Sequence, residues 1–326
     1  MSNVLFYAGI DVSKNFFDVC VLAIDGKSTS KQMEYDKQGL NKLAEWLPPG
    51  AHCVMEATGP YYLRLACWLH QQGFTVSVIN PLVIRRFSQM RLRRAKTDKT
   101  DAKMIAAYGQ METPPSWEPP AQYLINLQQL DAASEQLQKQ CTAWRNQLEA
   151  FTAGGLMDKP MKKFLTRMIT QAEKELLEIQ SRIDKIIGDH HQQMLKNLTS
   201  IPGLGKKSAS VLILITGGFT RFSDYKKLTA YVGLSPRIFE SGSSIRGISR
   251  ICKLGMSRVR ALLYVCAWSA KRCNLACREL YERLVAKGKS KKLALIAVAN
   301  KLIKLAFAIA IKNIPYDENI AKNICF

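Results

Sequence analysis

The sequence predicts a mixed α/β N-terminal domain, a helical coiled-coil arm and a mostly α-helical C-terminal domain. Three observations predict this order. Strand and helix signals alternate over the first hundred residues, apolar residues then step by three and four from Leu127 to His190, and basic charge gathers in the last third. A chain of 326 residues suits two or three cores, and 47% apolar residues is ordinary for a globular protein.

In the N-terminal part, Val4–Asp11 and Phe16–Leu22 are β-rich runs around a short turn, and Ser28–Tyr35 suits a third strand. A helical stretch, Lys37–Trp46, stops before Pro48-Pro49-Gly50. An apolar strand at Ala51–Met55, a helix at Tyr61–Gln71, a strand at Thr75–Ile79 and a short helix from Pro81 follow. This order, βββαβαβα, describes an antiparallel meander entering a parallel sheet within residues 1–112. Pro114-Pro115 and Pro119-Pro120 suit a hinge.

Residues 122–196 carry two heptad-like runs, Leu127 to Phe151 and Leu165 to His190, broken at Gly154-Gly155 and Pro160. They predict an antiparallel helical hairpin that spaces domains or pairs with another subunit. Residues 198–326 read as helical, basic and rich in small residues. The apolar run Leu293–Ile311 is interrupted by Asn300, Lys301 and Lys304, which predicts a buried or amphipathic helix with no membrane span. Met1–Ile10 lacks a basic lead and a cleavage site, so a cytoplasmic location is expected. The nine cysteines and four histidines lack zinc-site spacing and are expected to be structural.

The net charge of +21 is unevenly spread. Residues 1–110 hold 14 Lys/Arg against 9 Asp/Glu, residues 111–200 hold 10 against 11, and residues 201–312 hold 22 against 4. The last segment, at +18, is a polyanion-binding part, and its spread over folded-looking sequence favours nucleic acid over a membrane surface.

Four acids sit where chemistry is expected. Asp11 closes one strand and Glu56 ends another, so neighbouring strands would set them side by side at one sheet edge. Asp98 and Asp101, three apart, share one face at the start of a helix. Turn capping accounts for Asp11 alone, and helix capping accounts for the later pair, so local roles compete with a metal site. Capping does not explain the preceding Arg85, Arg86, Arg91, Arg93, Arg94 and Lys96. Acids that hold metal beside bases that hold phosphate are the parts of a nuclease-like site, and hard carboxylates suit Mg²⁺, with Mn²⁺ as a substitute.

Gly203, Gly205, Lys206 and Lys207 read as a helix-hairpin-helix turn whose backbone approaches phosphate. Further on, Arg237, Arg246, Arg250, Lys253, Arg258 and Arg260 surround a Ser/Gly loop at 241–244. No histidine lies nearby in sequence, and composition alone makes this an ordinary loop.

Gly9-Ile10-Asp11-Val12-Ser13-Lys14, Met55-Glu56-Ala57-Thr58-Gly59 and Ala95-Lys96-Thr97-Asp98-Lys99-Thr100-Asp101-Ala102 resemble signature segments of the insertion sequence one-ten family of DEDD transposases, relatives of the Piv/MooV invertases. Gly233-Leu234-Ser235-Pro236-Arg237, Ser241-Gly242 and Lys253-Leu254-Gly255 resemble its C-terminal segment. The resemblance implies a RuvC-like, ribonuclease-H-type N-terminal domain with Asp11, Glu56, Asp98 and Asp101 as a metal quartet. It implies Ser241 as a nucleophile that forms a phosphoserine link to DNA. It further implies a structured guide (bridge) RNA, target and donor DNA as partners, and a bacterial homo-oligomer, a dimer or tetramer. Two other functions fit the residues: a Mg²⁺-dependent junction resolvase using water, and a non-catalytic nucleic-acid-binding protein.

Overall fold

A computed structural model describes residues 6–91, 98–237, 240–241, 245–246, 250–252 and 254–318, except for the side chains of 98, 99, 237, 240, 241, 245, 246 and 250. Two compact units result, Met1–Pro120 and Ala121–Phe326.

The first unit is built on a five-stranded sheet of order β3-β2-β1-β4-β5. Strands β1 (Phe6–Val12), β2 (Phe16–Ala23) and β3 (Ser28–Glu34) form the antiparallel meander, and β4 (His52–Glu56) and β5 (Thr75–Ile79) add in parallel. Alternation along the strands sends side chains to two covered faces. Ala8, Ile10, Val12, Phe17, Val19, Cys53 and Met55 share one core with Leu40 and Leu43 of α1 (Lys37–Trp46) and Leu65 and Leu69 of α2 (Tyr61–Gln71). On the other face, Tyr7, Val54 and Ile79 pack with Ile84 of α3 (Pro81–Met90) and Ile105 of α4 (Asp98–Glu112). Two caps set the helix starts: Asp36 accepts the Gly39 N–H at 2.7 Å, and Asn80 accepts the Leu82 N–H at 2.9 Å. The predicted element order is present, followed by α4. Five strand boundaries differ by one residue: β1 runs past Asp11 to Val12, β2 ends at Ala23, β3 ends at Glu34, and β4 starts at His52 and includes Glu56.

The second unit is mostly helical: α5 (Gln122–Ala153), α6 (Lys159–Thr199), α7 (Lys206–Thr216), α8 (Tyr225–Val232), α9 (Ser257–Cys273), α10 (Leu275–Ala286) and α11 (Lys291–Lys312). The two long helices pack along each other, but only part of the apolar stripe is buried. Leu127, Leu130, Cys141, Leu165, Ala172, Ile183 and Ile187 are buried, whereas Phe151 at the far end is exposed. A two-helix hairpin covers one seam only, so its outer turns stay wet. At the root, Leu127, Leu130, Ile183 and Ile187 join the core of α7, α9 and α11. The hairpin is therefore continuous with the C-terminal helices and belongs to one compact unit with them. Helix α6 kinks at His191 (φ −138°, ψ 29°), where Tyr123 stacks on His190 at 3.9 Å and its hydroxyl is hydrogen-bonded to His191 Nε2 at 3.0 Å. Helix α11 has the length and hydropathy of a membrane span, yet Leu295, Val298, Leu302, Ile303 and Leu305 are buried in the unit's core.

Candidate active site

The register places two carboxylates level with each other. Ile10 of β1 pairs with Met55 of the parallel strand β4, so the next residues, Asp11 and Glu56, lie side by side. Gly9 pairs with Val54, and residues two apart on a strand share a face, so Asp11 and Glu56 project to the same face as Gly9. Helix α4 covers that face. A Cβ on Gly9 would lie 2.1 Å from the Ala102 carbonyl oxygen and 2.2 Å from the Ala106 nitrogen. A Cβ on Gly109 would lie 2.7 Å from Val54 and 3.0 Å from Tyr7. Helix α4 thus runs antiparallel to β1, with Gly109 over Tyr7 and Ala102 to Ala106 over Gly9. Its first turn, with Asp98 and Asp101, comes to the end of the sheet that carries Asp11 and Glu56. Two side chains help fix the helix's rotation: Gln110 Nε2 donates to the Ala23 carbonyl at 3.3 Å and Lys103 Nζ to Ser28 Oγ at 3.0 Å.

Asp11, Glu56 and Asp101 are half-buried, and Thr58 Oγ1 donates to Glu56 Oε1 at 2.5 Å. One more acid stands in the same row. Asp18 of β2 pairs directly with Asp11, is buried, and accepts from Gln32 Nε2 of β3 at 2.9 Å. Glu56, Asp11, Asp18 and Gln32 therefore cross four adjacent strands at one level. Like charges directly opposite one another are unfavourable, and a cation relieves them. The oxygen-only donor set fits a hard divalent cation. Among the described residues no three His, Cys, Asp or Glu side chains already close into a metal cage, and the Asp98 side chain lies outside them.

The serine segment belongs to the second unit. Strand β7 (Glu240–Ser241) pairs antiparallel with β8 (Ile245–Arg246), with Ser241 opposite Ile245. Strands β6 (Pro236–Arg237) and β9 (Arg250–Ile251) pair so that Arg237 lies opposite Arg250.

Comparison with known proteins gives two matching family models, one described as "Transposase", of the DEDD IS110 type, over residues 8–153, and one described as "Transposase IS116/IS110/IS902 family" over residues 195–282. The pilin gene-inverting protein of Moraxella bovis is 31% identical over 325 residues, covering 96% of this chain and 98% of its own. This chain belongs to the IS110 transposase family. Its counterpart in Moraxella lacunata is also 31% identical, with 98% of that chain covered. The IS1328 transposase of Yersinia enterocolitica is 23% identical, covering 79% of this chain and 82% of its own. Among solved structures, Thermus thermophilus RuvC is 15% identical, covering 34% of this chain and 99% of its own with a TM-score of 0.25.

Several basic residues of this transposase have partners within the protein. Arg258 donates from both Nη atoms, to Asp131 and, at 3.0 Å, to Glu135 of α5, which ties α9 to the root of the hairpin. Arg260 Nη1 donates to the Val232 carbonyl at 2.9 Å, and Lys206 pairs with Asp184 of α6 at 2.5 Å. The open conformation at Gly203 (φ +98°) serves a close approach to Ala270 of α9, since a Cβ would lie 2.5 Å from it. Gly205, by contrast, has open space around it. Arg85, Arg86, Arg91 and Lys207 are exposed on helices or their ends, with Arg86 donating to Gln89 and Arg91 lying over the Phe87 ring. The expected contacts at Arg93, Arg94, Lys96 and Lys253 fall outside the described residues, and for Arg237, Arg246 and Arg250 the backbone alone is described.

Sequence reasoning missed Gly9, Gly109 and Asp18. Gly9 stands within a recognised segment, but only the sheet register reveals that it seats α4. Asp18 follows Asp11 by one hairpin, and an acid in an otherwise apolar strand, Phe16–Ala23, was the available signal. The eight cysteines among the described residues are free thiols, and burial pushes Cys53 and Cys277 up to about 12.

Proposed function

We propose that this transposase is an RNA-guided, Mg²⁺-dependent DNA recombinase that works through a phosphoserine intermediate. The observation that carries the reading is the convergence of Asp11, Glu56 and the first turn of α4 at one end of one sheet face. Asp11, Glu56, Asp98 and Asp101 are the residues that would hold the divalent cation, which when bound supplies Lewis acidity and charge compensation at the scissile phosphate. The protein's part is to hold these carboxylates on a rigid sheet and helix, so that little reorganisation remains at reaction. Ser241 Oγ forms a bond to phosphorus while the bond from phosphorus to a deoxyribose oxygen breaks. The proton lost by the serine is matched by one taken up by the departing deoxyribose hydroxyl. The phosphodiester energy is kept in the protein–DNA ester, and reversal onto a second DNA end completes exchange.

The excess of positive charge in residues 201–312 supports a phosphate-binding role for this part, with Lys207, Arg237, Arg246 and Arg250 the leading contacts. A structured guide RNA and assembly as a dimer or tetramer belong to the same proposal and rest on the family resemblance. The test is Asp11→Asn, which keeps shape and removes one charge. Recombination is expected to be lost with nucleic-acid binding retained; wild-type recombination by this variant would refute the acid site.

A further inference from the structure

The hairpin's near-neutral total hides a cluster of bases at the start of α6. Its acids at the root are engaged: Asp131 and Glu135 with Arg258, and Asp184 with Lys206. Midway, Glu173 pairs with Arg145. At the tip the first turns of α6 carry Lys159, Lys162, Lys163 and Arg167, all exposed, and among the described residues none of them makes an ion pair. Lys159, Lys163 and Arg167 follow one another at intervals of four and so line one face. Like charges at that spacing repel, and bases at a helix N-terminus oppose the macrodipole. Asp158, the N-cap, is the only acid in residues 154–167, so positive charge stays in excess there and an anionic partner relieves it. Apolar side chains surround these bases: Leu156 is 96% exposed, and Met161 and Phe164 are also exposed, with Arg167 lying 5.8 Å over the Phe164 ring.

We propose that the tip of the α5–α6 hairpin is a second DNA-binding surface, which grips the backbone of duplex DNA. The row from Lys159 to Arg167 spans about 12 Å of helix. Over that length one strand of duplex DNA, at about 3.4 Å of axis per phosphate, offers roughly three phosphates. A second copy of the chain is a poorer fit, since residues 201–312 carry 22 bases against 4 acids. The inference rests on DNA being the substrate and on neither Ser241 nor the acid quartet. Binding is read without reaction, so its failure and a failure of the serine chemistry are separate results.

The experiment titrates full-length protein with labelled random-sequence duplex DNA over a range of salt. Wild type is compared with the quadruple variant Lys159→Gln/Lys162→Gln/Lys163→Gln/Arg167→Gln. The variant is expected to bind at least about tenfold more weakly at low salt, with a log–log salt slope smaller by about 2 to 4. Its melting temperature should be unchanged or higher. To separate a local contact from loss of bulk charge, a photo-crosslinking phenylalanine analogue at position 164 should link to the duplex. An unchanged salt slope overturns the proposal, as does crosslinking to protein alone with loss of self-association in the variant. Preferential crosslinking to a structured RNA over the duplex overturns it as well.

Discussion

Replacing Gly9 with alanine tests whether the seat of α4 sets the geometry of the acid site. The new Cβ would stand 2.1 Å from the Ala102 carbonyl oxygen, where ordinary contact begins at 3.4 Å, so α4 must retreat by about 1.3 Å. Both atoms in the way are backbone, so no side-chain rotation relieves the clash. Overpacking of this kind costs about 1–3 kcal/mol of stability. The functional effect is larger, because Asp98 and Asp101 ride on the displaced turn. A misplacement near 1 Å at a reacting centre costs about 10²-fold in rate. Gly39→Ala is the control. Its Cβ would meet the Glu34 carbonyl oxygen at 1.9 Å, but on α1, which packs on the opposite face of the sheet. Thermal melts and strand-exchange rates are measured on both variants. Comparable losses of stability are expected, with about a 10²-fold loss of rate for Gly9→Ala alone. A normal rate in Gly9→Ala, or equal rate losses in the two, would refute the reasoning.

Three further outcomes are expected. Gly203→Ala combines a left-handed backbone with a 2.5 Å approach to Ala270, and should cost about 2–4 kcal/mol in denaturant unfolding; a loss under 1 kcal/mol, roughly the cost of φ alone, would contradict the packing described. Arg258→Gln breaks two partly exposed ion pairs and should lower stability by about 1 kcal/mol while reducing DNA affinity less than Lys207→Gln does; the reverse order of affinities would return Arg258 to phosphate binding. Burial pushes His52 and His191 below their ordinary 6.5, and His190 adds to the effect at His191. Each then binds fewer protons folded than unfolded, so stability should fall as pH drops below 6.5, and His191→Gln should weaken that slope in the second unit. Melting temperatures recorded between about pH 7.5 and 5.5 check this, and a melting temperature that stays flat would contradict it.

Much of the first unit was legible because its signals are local. A β-rich run with an acid at or next to its end, as at Asp11 and Glu56, shows the strand and its exit to within a residue, and Pro48-Pro49-Gly50 marks a boundary without any partner. What stayed hidden depends on pairing between distant segments. The row Glu56, Asp11, Asp18 and Gln32 exists only once four strands adopt one register. Gly9 looks like an ordinary glycine until α4 lies across it, and so does Gly109 of α4 until that helix lies on Tyr7 and Val54. In the second unit, the charge of Arg258 and Lys206 was correctly read as abundant, but a count along the chain cannot reveal that Asp131, Glu135 and Asp184 face them. The same averaging concealed the basic tip, since Lys159, Lys162, Lys163 and Arg167 are offset in number by acids spread along the rest of the hairpin.

The central claim is that Ser241 carries the DNA during exchange. Purified protein, guide RNA transcribed from the sequence flanking its gene, Mg²⁺ and labelled nicked DNA are mixed and resolved on a denaturing gel. A protein-linked DNA band that disappears in Ser241→Ala and maps by mass to the peptide containing Ser241 is the predicted result. Cleaved DNA free of protein, persisting in Ser241→Ala, would contradict the account and assign the acid site to hydrolysis by water.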